Sequence, residues 1–468
     1  MTSAGEEERI VTLDLLRGVA VMGIFSVNVI AFAMPFGAYL NPAVYGGASG
    51  ADLWVWAANF VLVDGKMRGL FTLLFGASTL LVIKRAEAAE LAPEIVHFRR
   101  MGWLLIFGLL HYYLIWFGDI LTLYASVGMI LFMFREAPMR LLVAAGLAPE
   151  IVHFRRMAWL LIFGLLHYYL IWFGDILTLY ASVGMILFMF REAPIRLLVT
   201  AGLVLLAADM AMAWGMSAGM AAAESAAQMP GASPGAAGAF RDAAGFLLPL
   251  APDALARDIA LHQGPYSGLL RYQLGEGALG PVYQLMLFWP EALGSMLLGM
   301  AALRCGFLTG AWSRPAYFRV ALAGLLLGGC GYAWLAWDIR QSGFDPAILY
   351  RDFYSLSAPF RLAMMFGHAA LIILLARKGG TLARRIAAVG RAAFTNYLGT
   401  SLLAGFVFYG WGLGQYGQLG RAEAWLLAPL FWISMLLWSK PWLDRFRYGP
   451  LEYAWRSLAR GRLQPFRR

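Results

Sequence analysis

The sequence predicts an all-α protein, a polytopic transmembrane helical bundle of about 12 spans with both termini in the cytoplasm. Three observations lead there. The 468 residues are 61% apolar and 15% aromatic, only 14% are charged, and the mean hydropathy is +0.66. This lies far from the balance of a soluble globular chain. Several apolar tracts reach the roughly 20 residues that one helical crossing needs. Inside lipid a helix satisfies its backbone polar groups within a single segment, so helices are the expected solution.

The elements run in order from the N-terminus. The opening MTSAGEEER is acidic where a secretory signal would be basic, so the apolar tract from about 10 to 33 reads as a retained first span. A Gly/Pro/Asn-rich loop and a second apolar stretch come next, ending at Lys84 and Arg85, whose charges mark a return to the cytoplasm. These two spans make up residues 1–90.

Residues 91–146 recur as 147–202 with a period of 56, differing only at Gly102/Ala158, Met139/Ile195 and Ala144/Thr200. Such identity marks a recent or engineered duplication. Two copies fall short of a solenoid, and nothing else in the chain shares the period. Each copy reads as two spans joined by a tight outward turn. Such a pair leaves and returns on one side, so a parent of about ten spans accepts it without inverting the downstream spans. The short link from Arg191 to Arg196 ties the second copy to the next span. The copy at 147–202 is therefore expected in the ancestral place, with 91–146 at the periphery or at a subunit contact of a homo-oligomer.

Residues 203–280 hold the rest of a span near 196–217 and then an Ala/Gly/Ser/Pro-rich stretch, expected as an external loop. Five C-terminal spans fill 281–438, near 281–303, 316–337, 358–376, 386–410 and 424–438. The tail, 439–468, is basic and suits a cytoplasmic face beside anionic lipid. The net charge of +10 follows from this topology and calls for no nucleic acid. Cys305 and Cys330 are the only cysteines, so neither a disulfide framework nor a Cys-based metal site is indicated, and no metal is expected.

Ionisable residues inside spans are costly and therefore mark candidate sites. Asp14, Arg17 and Asn28 fall within roughly 60° of one another on the first span and are candidate substrate-binding residues. They read equally as an interfacial ion pair with an Asn bonded to a neighbouring helix. Asp64, Lys66 and Arg68 form a charged knot in VLVDGKMRGLFTLLFG, suited to a phosphate or carboxylate or to snorkelling into headgroups. His111 with Asp119, repeated as His167 with Asp175, offers a base or proton relay and an orienting carboxylate. The competing reading is a helix-to-helix hydrogen bond. Asn396, in GRAAFTNYLGTS, joins the substrate-binding set, although with the tail motif YGPLEYAWR it looks more architectural.

Five motifs together resemble the YeiB-like family of bacterial inner-membrane proteins. They are LDLLRG, DGKMRGLFTLLFG, LLHYYLIWFGDIL, GRAAFTNYL and GPLEYAWR, spread from residue 10 to about 457. That family is similar in its first spans to membrane acyltransferases, including the bacterial O-acyltransferases and the heparan-α-glucosaminide acetyltransferase group. The resemblance implies transfer of an acyl group from acyl-CoA, as donor substrate, to a small or sugar-like acceptor. It also implies a multi-pass place in the inner membrane among membrane lipids. The O-acyltransferases carry a His eleven residues after their Arg, where this chain has Asn28 after Arg17, and no His precedes Val96. The catalytic part would then fall to His111 or His167. The alternative is a transporter or exporter that moves a small molecule along the same polar face. A scaffold would need none of these buried charges.

Overall fold

The computed structural model describes residues 11–88, 103, 104, 107, 193–274, 280–377, 379–453, 457 and 463–468. Most of both hairpin copies, with His111, Asp119, His167 and Asp175, lies outside the described residues. Within them the regular structure is helical, and the only β pairing is an isolated bridge between Phe446 and Arg467.

In chain order the helices are α1 (Val11–Ala33), α2 (Gly37–Leu40), α3 (Gly50–Leu62) and α4 (Lys66–Ala88). After the hairpins come α5 (Ile195–Gln228), α6 (Pro234–Ala244), α7 (Pro252–Gln263), α8 (Tyr266–Leu274) and α9 (Gly280–Arg304). Next are α10 (Arg314–Gln341), α11 (Pro346–Tyr350), a π-helical turn (Arg351–Leu356) and α12 (Ser357–Ala376). The chain continues through α13 (Thr381–Arg391), α14 (Ala393–Phe408), α15 (Arg421–Trp425) and α16 (Leu427–Arg445).

Five helical segments among the described residues are long and apolar enough to cross a membrane: Val11–Ala33, Ile195–Gln228, Arg314–Gln341, Pro346–Ala376 and Arg421–Arg445. The first is the most buried, and α1 packs against α4, α12, α13, α14 and α16. Leu13, Leu16 and Ala20 of α1 meet Leu70, Leu73 and Leu74 of α4 and Met365 and Ala369 of α12 in one apolar core. With no hydrophobic drive between helices in lipid, close packing must hold them, and small residues allow it. A Cβ on Gly390 of α13 would strike the backbone carbonyl of Asp14, and one on Gly18 of α1 that of Ile386. The two helices therefore touch backbone to backbone.

Two expectations change. The span expected at 386–410 is broken at Ala392 (φ −105°, ψ 31°) into α13 and α14. The break is held from the tail, because Glu452 accepts from the N–H groups of Phe394 (2.7 Å) and Thr395 (3.2 Å) and from Thr395 Oγ1 (2.5 Å). Its carboxylate thus satisfies donors that a new helix N-terminus leaves unpaired. The Ala/Gly/Ser/Pro-rich stretch after 217 is largely helical, with α5 running on to Gln228 and α6 to α8 beyond it. Its alanines favour helix. Pro234 and Pro252 stand in the first turns of α6 and α7, with the Ser233 hydroxyl capping the former, which is where Pro starts a helix.

Candidate functional site

Four long helices bring charged side chains into the interior. The sequence DGK turns α3 into α4, and Gly65 takes φ +72°, a conformation that favours glycine. That turn presents Asp64 and Lys66, with Arg68 two residues on in the first turn of α4. Glu291 comes directly after Pro290 inside α9, where a proline removes a backbone donor and loosens the helix. Asp209 comes from α5 and Arg361 from α12.

These groups form a chain of alternating charge. Arg68 Nη2 lies 3.2 and 3.4 Å from the two Glu291 oxygens, Arg361 Nη1 lies 3.7 Å from Glu291 Oε1, and Arg361 Nη2 lies 4.0 Å from Asp209 Oδ2. Glu291, Asp209 and Arg361 are buried, at 7%, 6% and 4% exposed. Arg361 Nη2 is enclosed and has no hydrogen-bond partner among the described residues. The Arg68 side chain is one-third exposed and stands over the Phe288 ring at 5.2 Å. Burying charge is tolerated when it is paired, and here the pairing is shared between separate helices.

Beside this chain, Tyr39 donates to Asp64 (2.8 Å). Lys66 is fully buried, donates to the Phe60 carbonyl and sits 2.8 Å above the Tyr332 ring. Lys66 is therefore an interior group and not a snorkelling one.

The other sequence candidates lie elsewhere. Arg17 pairs with Asp14 at 3.1 Å and donates to Ser78 Oγ at 2.5 Å. Ser78 is ten positions beyond Arg68 on α4, about 15 Å along the axis, so this pair links α1 to α4 apart from the central cluster. Asn28 is half-buried higher on α1. Asn396 is fully engaged, donating to the Val389 carbonyl (3.1 Å) and Ser439 Oγ (3.2 Å) and accepting from Trp438 Nε1 (2.9 Å). It joins α13, α14 and α16.

Sequence reasoning passed over Asp209, Glu291, Arg361 and His368, although each interrupts an apolar tract and the rule that singled out Lys66 applies to all four. His368 lies seven residues after Arg361 on α12, on the same stripe. Its Nδ1 is 2.8 Å from the Met364 carbonyl. A carbonyl only accepts, so Nδ1 carries a proton, and in the neutral ring Nε2 then keeps the lone pair a base needs. Among the described residues no three His, Cys, Asp or Glu side chains gather as metal ligands.

This interior belongs to a recognisable kind of chain. The Escherichia coli (strain K12) protein "Uncharacterized protein YeiB" is 30% identical over 463 residues, covering 96% of both chains. The chain belongs to the YeiB family. A second YeiB-like relative, "Uncharacterized protein YxaH" of Bacillus subtilis (strain 168), is 28% identical over 469 residues, covering 98% of this chain and 96% of its own. "Uncharacterized 39.9 kDa protein in amylase 3'region" of Bacillus acidopullulyticus is 34% identical over 128 residues, 27% of this chain and 34% of its own. The family described as "Protein of unknown function (DUF418)" matches residues 302–462, the part of the YeiB-family chain that holds Arg361, His368 and Asn396. No solved structure matches.

Proposed function

We propose that this YeiB-family chain is a multi-pass enzyme of the bacterial inner membrane, with about 12 spans and cytoplasmic termini. It transfers an acyl group from acyl-CoA to a small or sugar-like acceptor. The observation that carries this reading is the buried chain Arg68–Glu291–Arg361–Asp209, a polar site inside an apolar bundle with one guanidinium nitrogen free to bind. Buried ionisable groups in a membrane bundle are retained for function because they cost stability.

In this reaction the acceptor oxygen bonds the thioester carbonyl carbon and the C–S bond breaks. The acceptor's proton passes through a base to the departing thiolate. His368 has the tautomer for that part, and His111 and His167, each with its Asp119 or Asp175, are the further candidates from the sequence. Arg68 and Lys66, with Asp64 beside them, are placed to steer an anionic donor.

A transporter is the second reading, favoured by the same chain of charges running between separate helices as a substrate or proton pathway would. The test is incubation of the purified protein in nanodiscs with acetyl-CoA and a set of polyol acceptors, monitoring release of free CoA thiol. Alongside run His111→Ala, His167→Ala and His368→Ala. Acyl transfer predicts release that depends on an acceptor and is lost in one of these variants. An absence of release with every acceptor contradicts it and moves the weight to transport.

A further inference from the structure

Arg361 and Asp209 face each other across 4.0 Å, beyond hydrogen-bond length, while Arg361 Nη2 is enclosed and unpartnered. Burial without a partner is costly for a charged donor, so the arrangement suits a group that completes it. One atom bonded to both Nη2 and Oδ2 at about 2.8 Å each would see them at about 90°, close to the angle at a hydroxyl oxygen. That atom must accept from the guanidinium and donate to the carboxylate at once.

A carboxylate or phosphate could accept from Arg361 but would face Asp209 and Glu291, the latter 3.7 Å from the same guanidinium. An ammonium could donate to Asp209 but would face Arg361 and Arg68. A neutral hydroxyl meets both demands. We propose that Arg361 and Asp209 bind a hydroxyl of a neutral polyol, with Arg361 Nη2 donating to its oxygen and its proton donated to Asp209 Oδ2.

The surroundings fit a molecule with both hydroxyl and C–H faces. Tyr350 and Tyr354 stand 4.8 Å apart, and Phe288, under Arg68, is 6.0 Å from Tyr354. The Tyr350 hydroxyl contacts Met216 Sδ at 3.3 Å, and Met216 shares the stripe of Asp209 on α5, seven residues on. Ser355 of the π-helical turn donates to the Met210 carbonyl at 2.8 Å, pinning that turn beside Asp209. Apolar faces with a few placed polar groups are the usual make-up of a small-molecule site.

The inference rests on the reading of this cluster as the substrate site, and its test uses binding without any acyl donor. Full-length protein in nanodiscs is titrated calorimetrically with glucose, myo-inositol and glycerol, and with gluconate as the anionic counterpart. At least one neutral polyol should saturate, and gluconate should bind more weakly than glucose. Asp209→Asn and Arg361→Lys should each weaken polyol binding tenfold or more, while Asp253→Asn, at an exposed ion pair, leaves it unchanged. Unfolding temperatures are recorded for every variant, and Arg361→Lys keeps the positive charge that Glu291 and Asp209 face. Binding of gluconate in preference to glucose, polyol binding indifferent to both variants, or a lack of any polyol binding overturns the proposal. Polyol binding without CoA release keeps the hydroxyl site and contradicts acyl transfer. CoA release without polyol binding does the reverse.

Discussion

Glu291 is the hinge of the central charges, since it pairs with both Arg68 and Arg361. Removing it leaves two guanidiniums facing each other in the interior. Glu291→Ala should destabilise the protein by about 3 kcal/mol, the size seen when one partner of a buried pair is deleted. Thermal unfolding in detergent measures this, and an unchanged midpoint would mean the pairing carries no stability. Glu452 makes a pH-dependent contribution. Burial lifts its carboxyl above the ordinary range, and hydrogen bonds from Thr395 and from backbone N–H groups pull it partly back. A group raised on folding contributes fully below its unfolded pKa, about 4.3 for Glu, and the contribution fades as pH rises through the lifted value. Glu452→Gln should therefore flatten the fall in stability on the alkaline side of that range, as unfolding midpoints across pH would record. At this scale the sequence was half legible. Asp64, Lys66 and Arg68 stand out because three charges crowd one short segment. Asp209, Glu291 and Arg361 are single interruptions on three helices far apart in sequence, and only folding brings them together.

Among the helices, the crossing of α1 and α13 is set by glycine. Gly390→Ala pushes a methyl into the Asp14 carbonyl and should cost about 1–3 kcal/mol, the usual penalty for overpacking. Gly399, in α14, has open space around its Cβ position. Gly399→Ala should be neutral or stabilise by up to about 1 kcal/mol, because Ala is the better helix former. Paired unfolding midpoints read both, and equal effects would show that the crossing is not tight. The spans at 10–33, 316–337 and 358–376 were legible because long apolar tracts have one solution in lipid. The break at Ala392 was not, because Gly390 before it reads equally well as a close-packing residue and the cap, Glu452, lies about 60 residues later in the chain. The helices after 217 were masked by composition, since the prolines and serines that suggest a loop there also start helices.

At the scale of the whole molecule, the duplicated hairpin should be dispensable. On the expectation that each copy crosses as a pair, a chain lacking 91–146 loses two crossings together and everything after it keeps its orientation. A reporter fused to the C-terminus should report the same side of the membrane with and without that segment, and a reversed side would show that the copy does not cross as a pair. On the proposed reading the interior charges act as a single site running from Arg68 through Glu291 to Arg361 and Asp209. The measurement that tests this most directly is CoA release from acetyl-CoA, in the presence of the polyol that binds, by the wild-type chain and by Arg361→Lys with its unfolding temperature recorded. The account predicts turnover by the wild type and at least a hundredfold loss in a variant that stays folded. Equal turnover by the two would contradict it.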